Sequence, residues 1–326
     1  MLRVVYRSYG GENKKNRPAF YSKLLALASL VRAAECLGDE VRMTFVNDGP
    51  IPAERIALMQ SVGEVLTYDR LGMRGSYSTA LALARKRGWP EEDLVWFAED
   101  DYLYQPHSLL SLVEGARRLP QADYFGLWAS FGFLALDGRT LPHQTPVPLN
   151  WKESAPVTVD GQVWRRALST TSTFGVRMSA LRRDYFVLAL GHLAGLEAFD
   201  HAVCLHYQGE RPYPWHRLRR DMVFAGKGSG REKFKHFVIA PVRAAMNLWS
   251  LRRDGSGGQL WCSYPAMCAH MEIGEIPRGH DWLAAANDCA RWALAHGIPV
   301  QWRPPVEGEL SVAAAAAPVA AEPVAV

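Results

Sequence analysis

Cysteine is scarce in this chain: five residues in 326, an odd number, with no CxxC pair. That argues against a disulfide framework and against a zinc knuckle, and it fits reduced thiols in a cytoplasm. No apolar run approaches the length needed to cross a bilayer, and the opening MLRVVYRSYGG holds no apolar stretch that reads as a secretory leader. No GxxxxGK[ST] occurs, which excludes a P-loop kinase. Internal repeats are lacking too. What is present is a hydrophobic fraction of 48%, enough for a full core, and a mild net charge of +4. The charge is uneven: residues 211–236 hold eight basic and two acidic side chains, a net of +6.

Short apolar runs alternate with helical patterns through the first 130 residues. LRVVY (2–6), VRMTFV (41–46), EVLTY (64–68), LVWFA (94–98) and DYFGLW (123–128) read as strands. Helices are expected from Pro18 to the Gly38 stop, around 53–61, over 77–87 and over 107–118. This alternation predicts an α/β fold with a doubly wound, mostly parallel sheet flanked by helices. Ligands of such sheets lie beyond the carboxyl ends of the strands, where the polar segments 6–18, 47–50, 69–76 and 99–106 converge. The stretch 131–170 reads as irregular, 168–190 as a strand followed by a helix, 208–232 as a basic glycine-containing loop and 234–252 as a helix. An amphipathic helix closes the segment that starts at Gly274. The Ala/Pro-rich tail from about Val306 has little to bury and is expected to be disordered.

The strand LVWFA ends on Glu99, Asp100 and Asp101, followed by YLYQP. Three adjacent carboxylates repel one another. A solvated loop is one reading. Their place at the ligand edge and the aromatic residues that follow favour another, in which hard oxygens hold Mg²⁺ or Mn²⁺ against phosphate.

The stretch VWFAEDDYLYQPHSLLSLVEG resembles the acidic metal-binding motif of glycosyltransferases of the GT-A fold, in a Glu-Asp-Asp form. VRMTFVNDGP and GMRGSYSTALALAR resemble neighbouring segments of bacterial family 2-like members, and the likeness covers roughly residues 2–130. The resemblance implies a GT-A-like mixed sheet, with residues 1–130 as the nucleotide-sugar half and 131–305 as the acceptor-binding, metal-completing half of the same domain. It implies a metal-dependent hexosyl or related transferase that uses Mn²⁺ or Mg²⁺ and a nucleoside-diphosphate sugar, inverting with a carboxylate base. On it, Asp101 ligates the metal, Asp100 contacts ribose or the metal through water, and Glu99 supports the metal loop or joins its shell. Asp48 holds the nucleoside, Tyr6, Arg7 and Ser8 border it, and Arg74 pairs with the diphosphate.

Two later islands extend the likeness. GLEAFDHAVC offers Asp200, and secondarily Glu197, as the base; a helix N-cap is the plainer role for Asp200. YPAMCAHMEIGEIPRGHDW offers His270 as a late metal ligand, ahead of His280, against an ordinary structural histidine. Competing readings are a sugar-phosphate nucleotidyltransferase and a non-catalytic nucleotide-sugar-binding module. The acceptor is open: a glycan, a lipid-linked or small molecule, or a nucleic acid met by 211–236, which is otherwise a solvated loop or a diphosphate clamp. The same segment allows a cytoplasmic protein to sit peripherally on the inner membrane face.

Overall fold

The computed structural model describes residues 1–11, 16–128, 151, 153–191, 200–224, 229–253 and 258–301. Eleven strands appear among them: β1 (Leu2–Tyr9), β2 (Val41–Asp48), β3 (Gly63–Tyr68), β4 (Leu94–Glu99), β5 (Tyr102–Tyr104), β6 (Ala122–Gly126), β7 (Val157–Val159), β8 (Gln162–Arg166), β9 (Phe174–Arg177), β10 (Gln259–Tyr264) and β11 (Cys268–His270). The helices are α1 (Lys23–Glu35), α2 (Ala53–Val62), α3 (Gly72–Lys86), α4 (Ser108–Arg118), α5 (Met178–Leu190), α6 (His201–Tyr207), α7 (Trp215–Met222), α8 (Gly230–Leu251) and α9 (Trp282–Ala295).

Nine strands form one sheet in the order β3-β2-β1-β4-β9-β6-β10-β8-β7, and β5 pairs with β11 in a second, small sheet. In the large sheet β9 and β8 run against the other strands. The sheet is therefore mixed and mostly parallel, with helices on both faces, as the alternation of patterns predicts. One apolar cluster gathers α1, α4 and α9 against one face; a second gathers α3, α5 and α6 against the other. The central strands are apolar on both faces because both faces are covered. Val4 and Trp96 point into the first cluster, and Val5 and Phe97 into the second. Each large side chain buried this way contributes about 1.5–3 kcal/mol.

The register sets the ligand edge. Arg7 lies opposite Glu99, Tyr9 opposite Asp48, and Asp48 opposite Tyr68, so the ends of β1 to β4 come together. β11 then lies antiparallel to β5, with His270 opposite Tyr102.

Several local expectations are corrected. The first helix starts at Lys23, not Pro18, because the Ser22 hydroxyl caps it by accepting from the Leu25 amide at 3.3 Å. α3 begins at Gly72, so most of the expected glycine loop 69–76 is helix. YLY (102–104) is a strand, since it has β11 as partner. Residues 157–166 form a hairpin rather than irregular chain, and α7 interrupts the expected loop 208–232. The tail from Val306 lies outside the described residues.

Candidate active site

Each of the three carboxylates at the end of β4 meets a different cation. Glu99 accepts from the Arg7 guanidinium at 2.6 Å through one oxygen and from the Thr173 hydroxyl at 3.2 Å through the other. Asp100 accepts from the Tyr9 amide at 2.9 Å and lies 3.1 Å from the Lys23 ammonium, with an Arg55 nitrogen 3.9 Å away. Burial raises the Asp100 pKa above the ordinary carboxylate value, and the Lys23 charge works against that rise. Asp101 accepts from Arg17 at 3.1 Å, and its Oδ2 lies 3.2 Å from His270 Nε2.

His270 is held from both sides. Its ring stacks on Tyr102 at 4.9 Å and meets the edge of Trp128 at 6.2 Å. Glu272 Oε2 is 3.7 Å from the same Nε2. Arg17 braces the site by donating to the Met271 carbonyl at 2.8 Å while stacking on Tyr21.

The segment 171–173, just before β9, connects these groups through consecutive hydroxyls. Tyr102 donates to the Thr171 hydroxyl at 2.8 Å. Ser172 donates to Asp200 Oδ1 at 3.2 Å. Thr173 donates to Glu99. Because β9 pairs antiparallel with β4 (Phe174 opposite Phe97), this segment runs alongside the acidic end of β4.

Asp200 precedes α6 in a left-handed conformation, φ 44°, and its side chain makes no capping hydrogen bond. It turns to Ser172 instead. Its pKa is raised from 3.8 to about 6, first by burial and then by the Glu99 charge, while Ser172, Arg7 and His270 oppose the rise. Tyr77, Thr170, Val203 and Tyr207 line the cleft beside it. Glu197 lies outside the described residues.

The other anticipated residues are placed as follows. Asp48 is buried and both its oxygens are engaged, by the amides of Leu71 at 2.8 Å and Gly72 at 2.7 Å, so it ties β2 to the start of α3. Gly72 has φ +68°, a conformation that glycine adopts without strain. Arg7 is buried and spans Glu99, the Ser76 hydroxyl and the Tyr77 ring. Tyr6 and Ser8 are buried on β1, and their hydroxyls have no protein hydrogen-bond partner. Arg74 is exposed in the first turn of α3. His280 packs against Trp282, and burial lowers its pKa.

Arg17, Lys23 and Arg55 were not singled out by the sequence reading. Lys23 is buried and donates to the carbonyls of Tyr9 at 3.0 Å and Gly11 at 2.6 Å. Arg55 is buried too; one of its nitrogens donates to the Tyr9 carbonyl, while Nε and Nη1 have no hydrogen-bond partner. A lysine directly ahead of the apolar run Leu24–Ala28 is the available signal for Lys23.

The donor set can be tested against a divalent ion. Among the described residues no three His, Cys, Asp or Glu side chains converge as a closed cage. Asp101 and His270 do face one another. An ion that keeps one or two protein ligands and completes its shell from substrate phosphate suits such a pair. The residues fit an ion that arrives with its substrate, provided Asp101 shares its charge between the ion and Arg17. Glu99 is held separately, by Arg7 and Thr173.

No family model and no curated protein matches the sequence. Among solved structures, this chain is similar to S. aureus TarS 1–349 (12% identity, TM-score 0.41, 77% of this chain and 89% of that one). It is also similar to glucosyl-3-phosphoglycerate synthase from Mycobacterium tuberculosis in complex with Mg²⁺ and UDP (15%, TM-score 0.27, 40% and 43%). A third is a 4-diphosphocytidyl-2C-methyl-D-erythritol synthase (14%, TM-score 0.35, 75% and 97%). Against a longer S. aureus TarS chain the match spans 33% of that chain's length. These overlaps are loose, and the chemistry of the site rests on its own residues.

Proposed function

We propose that this protein is a glycosyltransferase that takes a sugar from a nucleoside-diphosphate donor and passes it to an acceptor hydroxyl, with Asp200 as the base. One observation carries the reading. A carboxylate and an imidazole in contact, Asp101 and His270, and a carboxylate with an elevated proton affinity, Asp200, are tied to one strand end through Tyr102, Glu99 and the hydroxyls of 171–173.

The roles follow from the contacts. Arg55, whose Nε has no hydrogen-bond partner, adds positive charge at the ends of β1 and β2, where it favours an anion. Arg7 fixes Glu99, whose charge helps keep the Asp200 carboxyl avid for a proton. A base with a pKa near 6 is ionised at neutral pH, yet holds a proton far better than a surface aspartate does. Ser172 aims it through Oδ1. Asp101 and His270 would hold a divalent ion, which would supply charge neutralisation to the departing diphosphate. Inversion by single displacement belongs to the same proposal, since one carboxylate base is all it requires.

The test is calorimetry with a panel of nucleoside-diphosphate sugars, with and without Mn²⁺, on the native protein and on Asp101→Asn. The expected result is metal-dependent binding of one donor that weakens at least about tenfold in the variant. Equal metal and donor binding by the two proteins refutes the assignment. Tight donor binding by a protein with neither transfer nor donor hydrolysis under any metal makes it a binding module instead.

A further inference from the structure

Helix α8 buries polar side chains beside Ala240 and Met246 and leaves large apolar ones exposed. Arg243, Asn247 and Ser250 face the protein, fully buried. Arg243 pairs with Asp221 at 3.2 Å and sits over the Tyr213 ring; Asn247 exchanges hydrogen bonds with the Tyr213 backbone. The opposite face is apolar and exposed: Phe234 (59%), Phe237, Val238 (57%), Val242, Leu248 (54%) and Trp249. At about 100° per residue these six fall within an arc of roughly 140°, so they form one stripe about four turns long. Phe224 stacks on Phe237 at 4.5 Å and, with exposed Met222 and Val223, widens the stripe toward α7. A soluble helix ordinarily turns these two faces the other way round.

The charge around the stripe has one sign. Arg231 and Lys235 are exposed on α8, Arg252 is exposed just past its end, and Arg219 and Arg220 are exposed on α7. The single acid of α8, Glu232, is engaged in the N-terminal cap, where it accepts from the Ser229 amide at 2.7 Å. No helix among the described residues is long and apolar enough to cross a membrane.

We propose that the exposed faces of α7 and α8 form a docking surface for an anionic lipid bilayer, with the α8 stripe lying in the headgroup–acyl boundary and the flanking Arg and Lys meeting lipid phosphates. Charge selects this occupant. A two-fold pairing of the stripe with a second copy would bring two basic rims together, whereas an anionic bilayer offers an apolar interior bordered by negative charge. Trp249 and the phenylalanines suit that boundary, where large rings partition well.

The inference does not depend on the proposed chemistry, and its test needs no substrate. The full chain is sedimented with vesicles of phosphatidylcholine, with and without phosphatidylglycerol, at low and high salt. Binding is expected to the phosphatidylglycerol vesicles, weaker at high salt. The double variant Val238→Glu/Val242→Glu should lose it by at least about tenfold while melting as the native protein does, because both side chains are exposed. The proposal is overturned if native protein stays in the supernatant with phosphatidylglycerol, if the variant binds equally well, or if ultracentrifugation shows a dimer that the variant dissociates.

Discussion

Replacing Asp200 with asparagine should cost activity and add stability, and the two effects share one cause. The folded carboxyl titrates near 6 against an ordinary 3.8. Between those values the folded protein keeps a proton that the unfolded chain has released. The unfolded state then binds fewer protons, so stability falls as pH rises through the window, and above about 6 the loss is constant. The full difference corresponds to roughly 3 kcal/mol as an upper bound. Asp200 retains partial exposure, and solvent screening reduces this to about 1–2 kcal/mol. Asparagine has the same shape, can still accept from Ser172 and carries no charge to desolvate. Asp200→Asn should therefore melt roughly 1.5–3 °C higher at pH 7.5, with the gap closing toward pH 4. Transfer should fall about 10²- to 10⁴-fold, and the native rate should decline as pH drops below about 6. The assays are thermal melts across pH 4–8 and a pH–rate profile. A variant that melts at or below the native temperature at pH 7.5 refutes the burial argument, and one that retains transfer refutes the role as base.

Further outcomes follow from the same contacts. Lys23→Met removes the cation beside half-buried Asp100 and two carbonyl contacts, so it should cost about 1–3 kcal/mol in denaturant titrations. That cost should shrink in acid as Asp100 becomes protonated. Gly115→Ala would place its Cβ 2.6 Å from the Trp164 ring, and about 1–3 kcal/mol of overpacking should appear as a lower denaturation midpoint.

Periodicity in the sequence made much of the frame legible. Apolar runs of strand length, helical spacing between them and polar strand ends are local properties, and they sufficed to predict a mostly parallel sheet with Glu99, Asp100 and Asp101 at the end of a strand. Helix starts were less legible, because a cap such as Ser22 acts through one hydrogen bond that spacing does not reveal. The expected loop 208–232 hid α7 because the helix is only eight residues long: Trp215, Leu218 and Met222 keep a helical spacing, but three apolar positions among basic residues are a weak local signal.

By itself, then, the sequence determined the layers, the strand ends and the types of chemical group gathered there. Tertiary structure alone decided the partners. His270 meets Asp101 across 169 residues, Arg17 reaches the Met271 carbonyl across 254, and Ser172 finds Asp200 across 28. Asp48 is expected from the resemblance to hold a nucleoside, and only the folded chain reveals that it also ties β2 to the amides that open α3. The outward apolar face of α8 was equally hidden, because an amphipathic pattern does not say which face the protein covers. Periodicity is written into neighbouring residues. Pairing, burial and the resulting proton affinities depend on distant segments that only the folded chain brings together.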